Sequence, residues 1–215
     1  MDDQDLLPAR ERPQVAQAVS KDATAPRAKV GLLRSGASFG PRSDRRPPRA
    51  QVISAGEANT GKSCLIKRYC ENRFVTKYVA TVGVDFGVKP VDVNGQRIKV
   101  NFFDLAGNDH FVEVRNEYYK DTQGVILVYD VARRATFDAL PRWIAEMEKY
   151  GAKAPAVVVC GNKTDTGQRA VKTAEARTWA QQRGFLFYET SAESGENVAA
   201  AFNAVFGMVA AQINL

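Results

Sequence analysis

The 215-residue sequence is poor in cysteine and histidine, and it contains no long apolar run. Its three cysteines, Cys64, Cys70 and Cys160, are odd in number and fall within expected helices or strands. We therefore expect reduced, buried thiols of an intracellular, cytoplasmic protein. A single histidine and the lack of a C-x-x-C pair argue against a structural zinc site. Because no stretch of about 18 apolar residues occurs, no transmembrane helix is expected.

Aromatic residues are scarce in the first part of the chain, where residues 1–49 contain only Phe39 among many prolines and arginines. Such a segment cannot bury enough apolar surface to offset the entropy lost on ordering, so a disordered, basic N-terminal extension over 1–49 is predicted. Two roles stay open for it, a solvated leader and a weak electrostatic contact with anionic lipid. Without aromatic residues between the charges, specific nucleic-acid binding is not expected.

Residues 50–215 predict one domain, because apolar strand patterns alternate with helical ones. Strands are expected near 49–55, 84–93, 96–104, 125–129, 156–160 and 185–188, and helices near 61–73, 111–120, 136–150, 172–183 and 197–213. Asn94-Gly95 favours a tight hairpin between the second and third strands. Long apolar strands without alternation favour a parallel sheet covered on both faces. The predicted fold is a doubly wound, mostly parallel six-stranded α/β sheet with one antiparallel strand and about five helices.

The most specific motif is G-x-x-x-x-G-K-S at residues 56–63, between the first strand and the first helix. Glycines let the backbone turn tightly and direct successive N–H groups at a polyphosphate, and the helix adds its positive N-terminal end. Lys62 supplies a point charge to the outer phosphates. The residues expected to bind the nucleotide here are Gly56, Ala58, Asn59, Thr60, Gly61, Lys62, Ser63 and Cys64.

Three oxygen-bearing side chains predict a Mg²⁺ site. The Ser63 hydroxyl can ligate the ion directly, and Asp104, at the end of a strand in Asp-Leu-Ala-Gly, can hold it through water. Thr81 lies in a Thr-Val-Gly segment and is expected to ligate the ion only when a γ-phosphate is present. Gly107 lets a backbone N–H approach that phosphate.

The tetrapeptide Asn162-Lys163-Thr164-Asp165 follows an apolar strand and predicts the base. The Asp165 carboxylate can accept two hydrogen bonds from the N1–H and the exocyclic amine of guanine, whereas adenine offers an acceptor at N1. The stem of Lys163 can cover one face of the base. Ser191 and Ala192, after the last strand, are expected to add a backbone N–H to the guanine oxygen.

In this order the motifs resemble those of the Ras-like small GTPases, and within them the Rab group, over residues 50–213. The strings at 61–70 and 113–127 are most similar to the Rab-like branch that is often fused to a C-terminal J domain. No His-Pro pair occurs, so no J domain is expected within this sequence. The resemblance implies a P-loop small-GTPase fold, Mg²⁺ with GTP or GDP as ligand, and a molecular switch in signalling or vesicle trafficking.

The same resemblance implies a switch I segment around Thr81 and a switch II segment from Asp104 to about Arg115. Effector proteins are expected to bind these segments, and an exchange factor and an activating protein are further expected partners of a monomer. Phe86, Phe103 and Tyr118 match the aromatic set that Rab effectors contact. Packing between the two switches is an equally open role for these three side chains.

The sequence departs from the family where Asn108 replaces the usual Gln after Asp-Leu-Ala-Gly. Asn carries the same amide on a side chain one methylene shorter, so Asn108, acting with Thr81, is expected to position the attacking water poorly. His110 is a weaker candidate for a surrogate base.

The chain ends without the cysteines that Rabs prenylate, so no prenyl anchor is expected and membrane association stays open. Two functions remain, a slowly hydrolysing switch and a GTP-locked effector-binding module.

Overall fold

The structure is a computed structural model that describes residues 48–213. The extension predicted to be disordered lies outside the described residues except for Pro48 and Arg49.

Six strands form a single sheet in the order β2-β3-β1-β4-β5-β6. Their bounds are β1 (Arg49–Ala55), β2 (Val84–Val93), β3 (Gln96–Leu105), β4 (Gly124–Asp130), β5 (Ala156–Asn162) and β6 (Leu186–Thr190). Every neighbouring pair is parallel except β2 with β3, which confirms the predicted mostly parallel sheet. Asn94 and Gly95 join that antiparallel pair with φ angles of 51° and 80°, as a type I′ turn requires.

The helices are α1 (Lys62–Glu71), α2 (Val112–Arg115), α3 (Arg134–Asp138), α4 (Leu140–Lys149), α5 (Thr173–Gln181) and α6 (Val198–Gln212). α3 and α4 occupy the one helix predicted over 136–150 and are separated at Ala139. Pro141 lies in the first turn of α4, where its missing N–H costs least, so the helix restarts there.

The helix predicted over 111–120 is largely wrong, because only α2 is α-helical there. Two 3₁₀ turns, Asp109–Phe111 and Asn116–Tyr118, flank it. Arg115 and Tyr119 of this segment bind Glu146 of α4, so tertiary contacts outweigh the helical pattern of the local sequence.

The sheet is covered on both faces, and the core is therefore divided in two. On one face, β-strand residues such as Phe102 and Val128 pack against α1 and against Phe202 and Phe206 of α6. On the other face, Leu127 and its neighbours pack against α4 and α5. β4 and β5 are buried along their entire length, as their uninterrupted apolar sequences predict.

The three cysteines are free, in agreement with the expected reduced thiols, but only Cys160 is fully buried. Burial raises the pKa of the Cys160 thiol to about 12, which makes it unreactive at neutral pH. Cys64 and Cys70, on α1, are half-buried, so the prediction of buried thiols is wrong for these two. They lie on the sides of a helix that only partly faces the sheet.

Candidate functional site

A cavity of about 370 Å³ opens at the carboxyl ends of the parallel strands, where a doubly wound sheet is expected to bind its ligand. Residues 74–81 form one wall, and the loops that follow β1, β3, β5 and β6 form the others. The predicted site residues that line it are Ala58, Asn59, Gly61, Lys62, Ser63, Cys64, Thr81, Gly107, Asn108, Asn162, Lys163, Asp165 and Ala192. The motifs, far apart in sequence, therefore meet around one space.

Four predicted residues support this cavity from behind instead of lining it. The side chain of Thr60 is buried and its hydroxyl donates to the carbonyl of Glu57 at 2.9 Å. Gly56 has a φ of 133°, and a Cβ there would lie 2.1 Å from the carbonyl oxygen of Val128. Only glycine fits that position, so the loop can begin directly against β4. The other two are Asp104 and Ser191, which bind side chains of the site.

The ammonium group of Lys62 is buried inside the phosphate loop. It donates to the carbonyl oxygens of Gly56 at 2.7 Å and Glu57 at 2.9 Å. Burial lowers the pKa of Lys62 to about 8, although the carboxylates of Asp104 and Glu57 offset part of this effect. A desolvated cation of this kind gains stabilisation from an incoming anion.

The three predicted metal-binding side chains converge at the N-terminus of α1. The Ser63 hydroxyl lies 3.1 Å from the Thr81 hydroxyl and 2.5 Å from Asp104 Oδ2, and Thr81 Oγ1 lies 3.4 Å from the same carboxylate oxygen. The second oxygen, Asp104 Oδ1, accepts a 2.6 Å hydrogen bond from the buried Ser54 hydroxyl. The result is a set of hard oxygen donors with one carboxylate, a type that suits a small divalent cation.

The base-binding residues are fixed by hydrogen bonds between loops. The Asn162 amide donates to the Thr60 carbonyl at 2.9 Å and accepts from Ala192 N–H at 3.3 Å, which ties together the loops after β1, β5 and β6. The Ser191 hydroxyl donates to Asp165 Oδ1 at 2.5 Å. Ser191 therefore orients the Asp165 carboxylate while the second oxygen of that group stays available.

The side chain of Asn108 is already engaged. Its Oδ1 accepts a 2.9 Å hydrogen bond from the His110 N–H and so caps the 3₁₀ turn Asp109–Phe111. Its carbonyl oxygen accepts a 2.8 Å bond from Arg115 Nη1. The His110 ring is exposed and packs edge-on against Phe111 at 5.5 Å. Asn108 therefore lines the cavity while its amide shapes the adjacent turn.

This turn and α2 are attached to α4 through a buried ion pair. The guanidinium of Arg115, which has no exposed surface, binds both carboxylate oxygens of Glu146, at 2.6 and 2.7 Å. The Tyr119 hydroxyl donates to the same carboxylate at 2.7 Å, and Arg115 stacks 4.2 Å from the Trp143 ring. Burial acts to raise the pKa of Glu146, but the hydrogen bonds from Arg115 and Tyr119 bring it below its ordinary value.

A second arginine of α4 connects the phosphate loop to the same turn. Arg142 binds Asp109 through both carboxylate oxygens, at 2.8 and 2.7 Å, and it also binds the Glu57 carboxylate. Trp143 Nε1 donates to Glu57 at 2.9 Å. Two acidic side chains that would repel each other are thereby held on one guanidinium.

The predicted effector-binding aromatic residues form a continuous row. Phe86 and Phe103 have ring centroids 5.0 Å apart, and Phe103 and Tyr118 are 4.7 Å apart. Phe86 is 55% exposed, whereas Phe103 and Tyr118 are half-buried. The row therefore packs β2 and β3 against the segment after α2 and leaves one end accessible.

Several supporting residues were missed in the sequence, because their partners are distant. Arg68 of α1 donates to the carbonyl oxygens of Ala192 and Glu193, 124 and 125 residues away. The available signal for Ser54 was a polar residue directly after the apolar pair Val52 and Ile53. For Arg115 and Glu146 the sequence shows only charges on expected helices, and nothing local indicates that they pair.

This fold, with a glycine-rich loop between β1 and α1 and a lysine buried beneath it, defines a P-loop nucleotide-binding protein. The sequence profile of the Ras family matches residues 51–211. The chain belongs to the Ras family of small GTPases.

Curated relatives include DnaJ homolog subfamily C member 27 from Gallus gallus, 53% identical over 77% of this chain and 63% of the relative. The protein of that name from Danio rerio is 52% identical over 78% and 64%. The one from Homo sapiens is 53% identical over 75% and 61%. These names confirm the resemblance to the Rab-like branch associated with J domains. The chain spans just under two thirds of the length of these relatives.

None of the helices between residues 48 and 213 is both long and apolar enough to span a bilayer.

Proposed function

We propose that the domain is a Mg²⁺-dependent guanine-nucleotide switch that hydrolyses GTP slowly. The observation that carries this proposal is the convergence of Ser63, Thr81 and Asp104, whose oxygens lie 2.5 to 3.4 Å from one another, beside the buried Lys62. Thr81 reaches this point from the 74–81 wall of the cavity, so binding at the metal site also orders that wall. Binding of a γ-phosphate and its ion is thus coupled to the order of segment 74–81, which partner proteins would contact.

Each end of the cavity has a separate role in this proposal. Lys62 and the N–H groups of the loop bind the phosphates, and Ser63, Thr81 and Asp104 hold Mg²⁺, which would neutralise charge on the phosphate oxygens. At the other end Asp165 accepts the two guanine donors, and the Ser191 hydroxyl, which donates to Oδ1, holds the carboxylate in place. The stem of Lys163 covers the base.

Slow hydrolysis follows from the position and length of Asn108. Its amide must orient the attacking water, but its oxygen is already bound by the His110 N–H. Reaching the water would require breaking that cap with a side chain about 1 Å too short. We therefore infer that GTP stays bound long after exchange, with Thr81 as the second contributor to the water's position.

A second candidate function, a GTP-locked module without meaningful turnover, is favoured by the attachment of switch II. The Arg115–Glu146 pair and the Arg142–Asp109 pair hold this segment on α4. In either function the exposed end of the aromatic row at Phe86 offers effector proteins a contact. Exchange factors and activating proteins, and a role in vesicle trafficking or signalling, are proposals from family membership.

Nucleotide competition tests the proposed function. Fluorescent GDP bound to the purified chain should be displaced by GTP and GDP but not by a thousandfold excess of ATP. Adenine would leave the polar groups of the base site unpaired, which lowers affinity by a factor of this size or more. Excess EDTA should speed release of the labelled GDP, because the metal would be removed from Ser63 and Asp104. Equal displacement by ATP, or release unaffected by EDTA, would contradict the proposal.

The lowered pKa of Lys62 predicts proton uptake on binding. At pH 8 about half of the Lys62 side chains are neutral in the free chain, and bound phosphates favour the charged form. GDP binding should then take up about half a proton at pH 8 and almost none through this group at pH 7, so affinity falls as the pH rises above 8. Calorimetry in two buffers of different ionisation enthalpy measures the uptake. The same uptake at both pH values would exclude Lys62 as its source.

A further inference from the structure

We propose that Arg133, in the turn after β4, is a positioning residue that orients the phosphate-binding backbone. This inference rests on the proposed function and assigns a role to a side chain outside the nucleotide motifs. Arg133 Nη2 donates to two consecutive carbonyl oxygens of the phosphate loop, Ala58 at 2.9 Å and Asn59 at 3.0 Å. Both of those residues line the cavity.

The geometry of the peptide bond explains how these two contacts orient N–H groups of the phosphate loop. In a planar trans peptide, the carbonyl of one residue and the N–H of the next point in opposite directions. Fixing the carbonyls of Ala58 and Asn59 toward Arg133 therefore directs the N–H groups of Asn59 and Thr60 away from it, to the side on which phosphates would bind. Arg133 thus sets the orientation of donors that belong to other residues.

A buried carboxylate holds Arg133 in this position. Asp130, at the end of β4, is 3% exposed, and its Oδ2 accepts from Arg133 Nε at 3.2 Å and from Lys163 Nζ at 2.9 Å. The backbone N–H of Ala132 donates to Oδ1 at 2.9 Å. Lys163 Nζ also donates to the Asn59 carbonyl at 2.8 Å. Asp130 therefore joins the phosphate end of the cavity to the base end through two cations.

Charge strengthens the effect on the backbone. The Asn59 carbonyl accepts from two cationic groups, and such charge-assisted bonds are roughly twice as strong as neutral ones. They polarise the peptide group, which makes its N–H a better donor to an anion. The φ of Asn59, 60°, is left-handed, a conformation that asparagine adopts more readily than most residues.

An ordinary surface ion pair is the alternative role, since the Arg133 side chain is 43% exposed. The two roles differ in which part of the ligand they affect. A surface pair influences folding alone and leaves ligand preference unchanged. Orientation of the Asn59 and Thr60 N–H groups instead contributes to binding of the outer phosphate, so its loss should weaken GDP more than GMP.

The test compares Arg133→Gln with Arg134→Gln. Arg134 is the next residue and pairs on the surface with Asp138 and Glu175, without a contact to the phosphate loop, so it is a matched control. Affinities for GDP and GMP are measured by displacement of fluorescent GDP in excess EDTA. We expect Arg133→Gln to weaken GDP binding about tenfold and GMP binding less than twofold, as loss of a charge-assisted donor predicts. Arg134→Gln should bind like the wild type.

Arg133→Lys extends the test, because a single ammonium keeps the charge but loses the planar fork of the guanidinium. We expect its GDP affinity to lie between those of the wild type and Arg133→Gln. Equal losses for GDP and GMP, or an Arg133→Gln variant that matches Arg134→Gln, would overturn the inference while leaving the proposed function intact. A wild-type chain that binds neither nucleotide even when Mg²⁺ is present would instead overturn the proposed function.

Discussion

Asp165→Asn is expected to weaken GDP binding by about a thousandfold, because both guanine donors lose a charged acceptor. Hydrogen bonds to charged groups contribute about 1.5–3 kcal/mol each, and each 1.4 kcal/mol corresponds to a factor of ten. The substitution also places an amide N–H opposite a donor of the base. Because Ser191 fixes the carboxylate in advance, little of the loss can be recovered by rotation of the side chain.

The same variant should gain affinity for xanthosine diphosphate, whose C2 oxygen can accept from the new amide. Displacement of each labelled nucleotide by the other measures the change in preference from guanosine to xanthosine diphosphate. Asp121→Asn, at an exposed position before β4, provides the control. If Asp165→Asn loses both nucleotides equally, then Asp165 acts through the loop structure and not through the base.

Asn108→Gln is expected to accelerate single-turnover GTP hydrolysis by about a hundredfold, the scale of a 1 Å misplacement. Gln supplies the missing reach, and it is a poor helix cap, so the bond to the His110 N–H is given up. Both changes release an amide toward the attacking water. Rapid-quench measurement of phosphate release from preloaded, Mg²⁺-containing protein follows the rate.

Asn116→Gln offers a matched control for this experiment, since it is the same substitution in the same segment, in the 3₁₀ turn Asn116–Tyr118. Its hydrolysis rate should equal that of the wild type. Wild-type hydrolysis as fast as that of Asn108→Gln would show that Asn108 does not limit the reaction, and an ordinary cycling switch would then replace the slow one.

The fold and the members of the site could be predicted because both depend on local spacing. Residues 56–63 and 162–165 each follow an apolar strand, and parallel strands bring their carboxyl ends to one edge of the sheet. The prediction thus placed Lys62, Asp104 and Asp165 around one cavity without any knowledge of their distances. Their individual chemical roles stay predictions.

The segment 111–120 shows what could not be predicted. Its sequence has a helical pattern, but Arg115 pairs with Glu146, 31 residues away, and only Val112–Arg115 is α-helical. The pairing of Arg133 is similar, since its partners on the phosphate loop are 75 and 74 residues away. A charged residue on an expected helix or turn carries no mark in the sequence that distinguishes a solvated side chain from one that fixes another loop.

The attachment of switch II to α4 also bears on how the proposed switch would operate. Arg142 holds Asp109 beside the phosphate loop through Glu57, and Asp109 adjoins Asn108. The hydrogen bond from Arg142 lowers the pKa of Asp109, because it favours the charged form of the carboxylate. We propose that order in this segment depends less on a γ-phosphate than order in the Thr81 segment does, because side chains of α4 hold it.

The most direct test of the central claim is identification of the nucleotide that accompanies the chain through purification in Mg²⁺. The account predicts one guanine nucleotide per chain, with GTP in excess of GDP, after denaturation and chromatographic analysis of the released ligand. GDP alone would contradict slow hydrolysis, and an adenine nucleotide or none would contradict the assignment of a guanine-nucleotide switch.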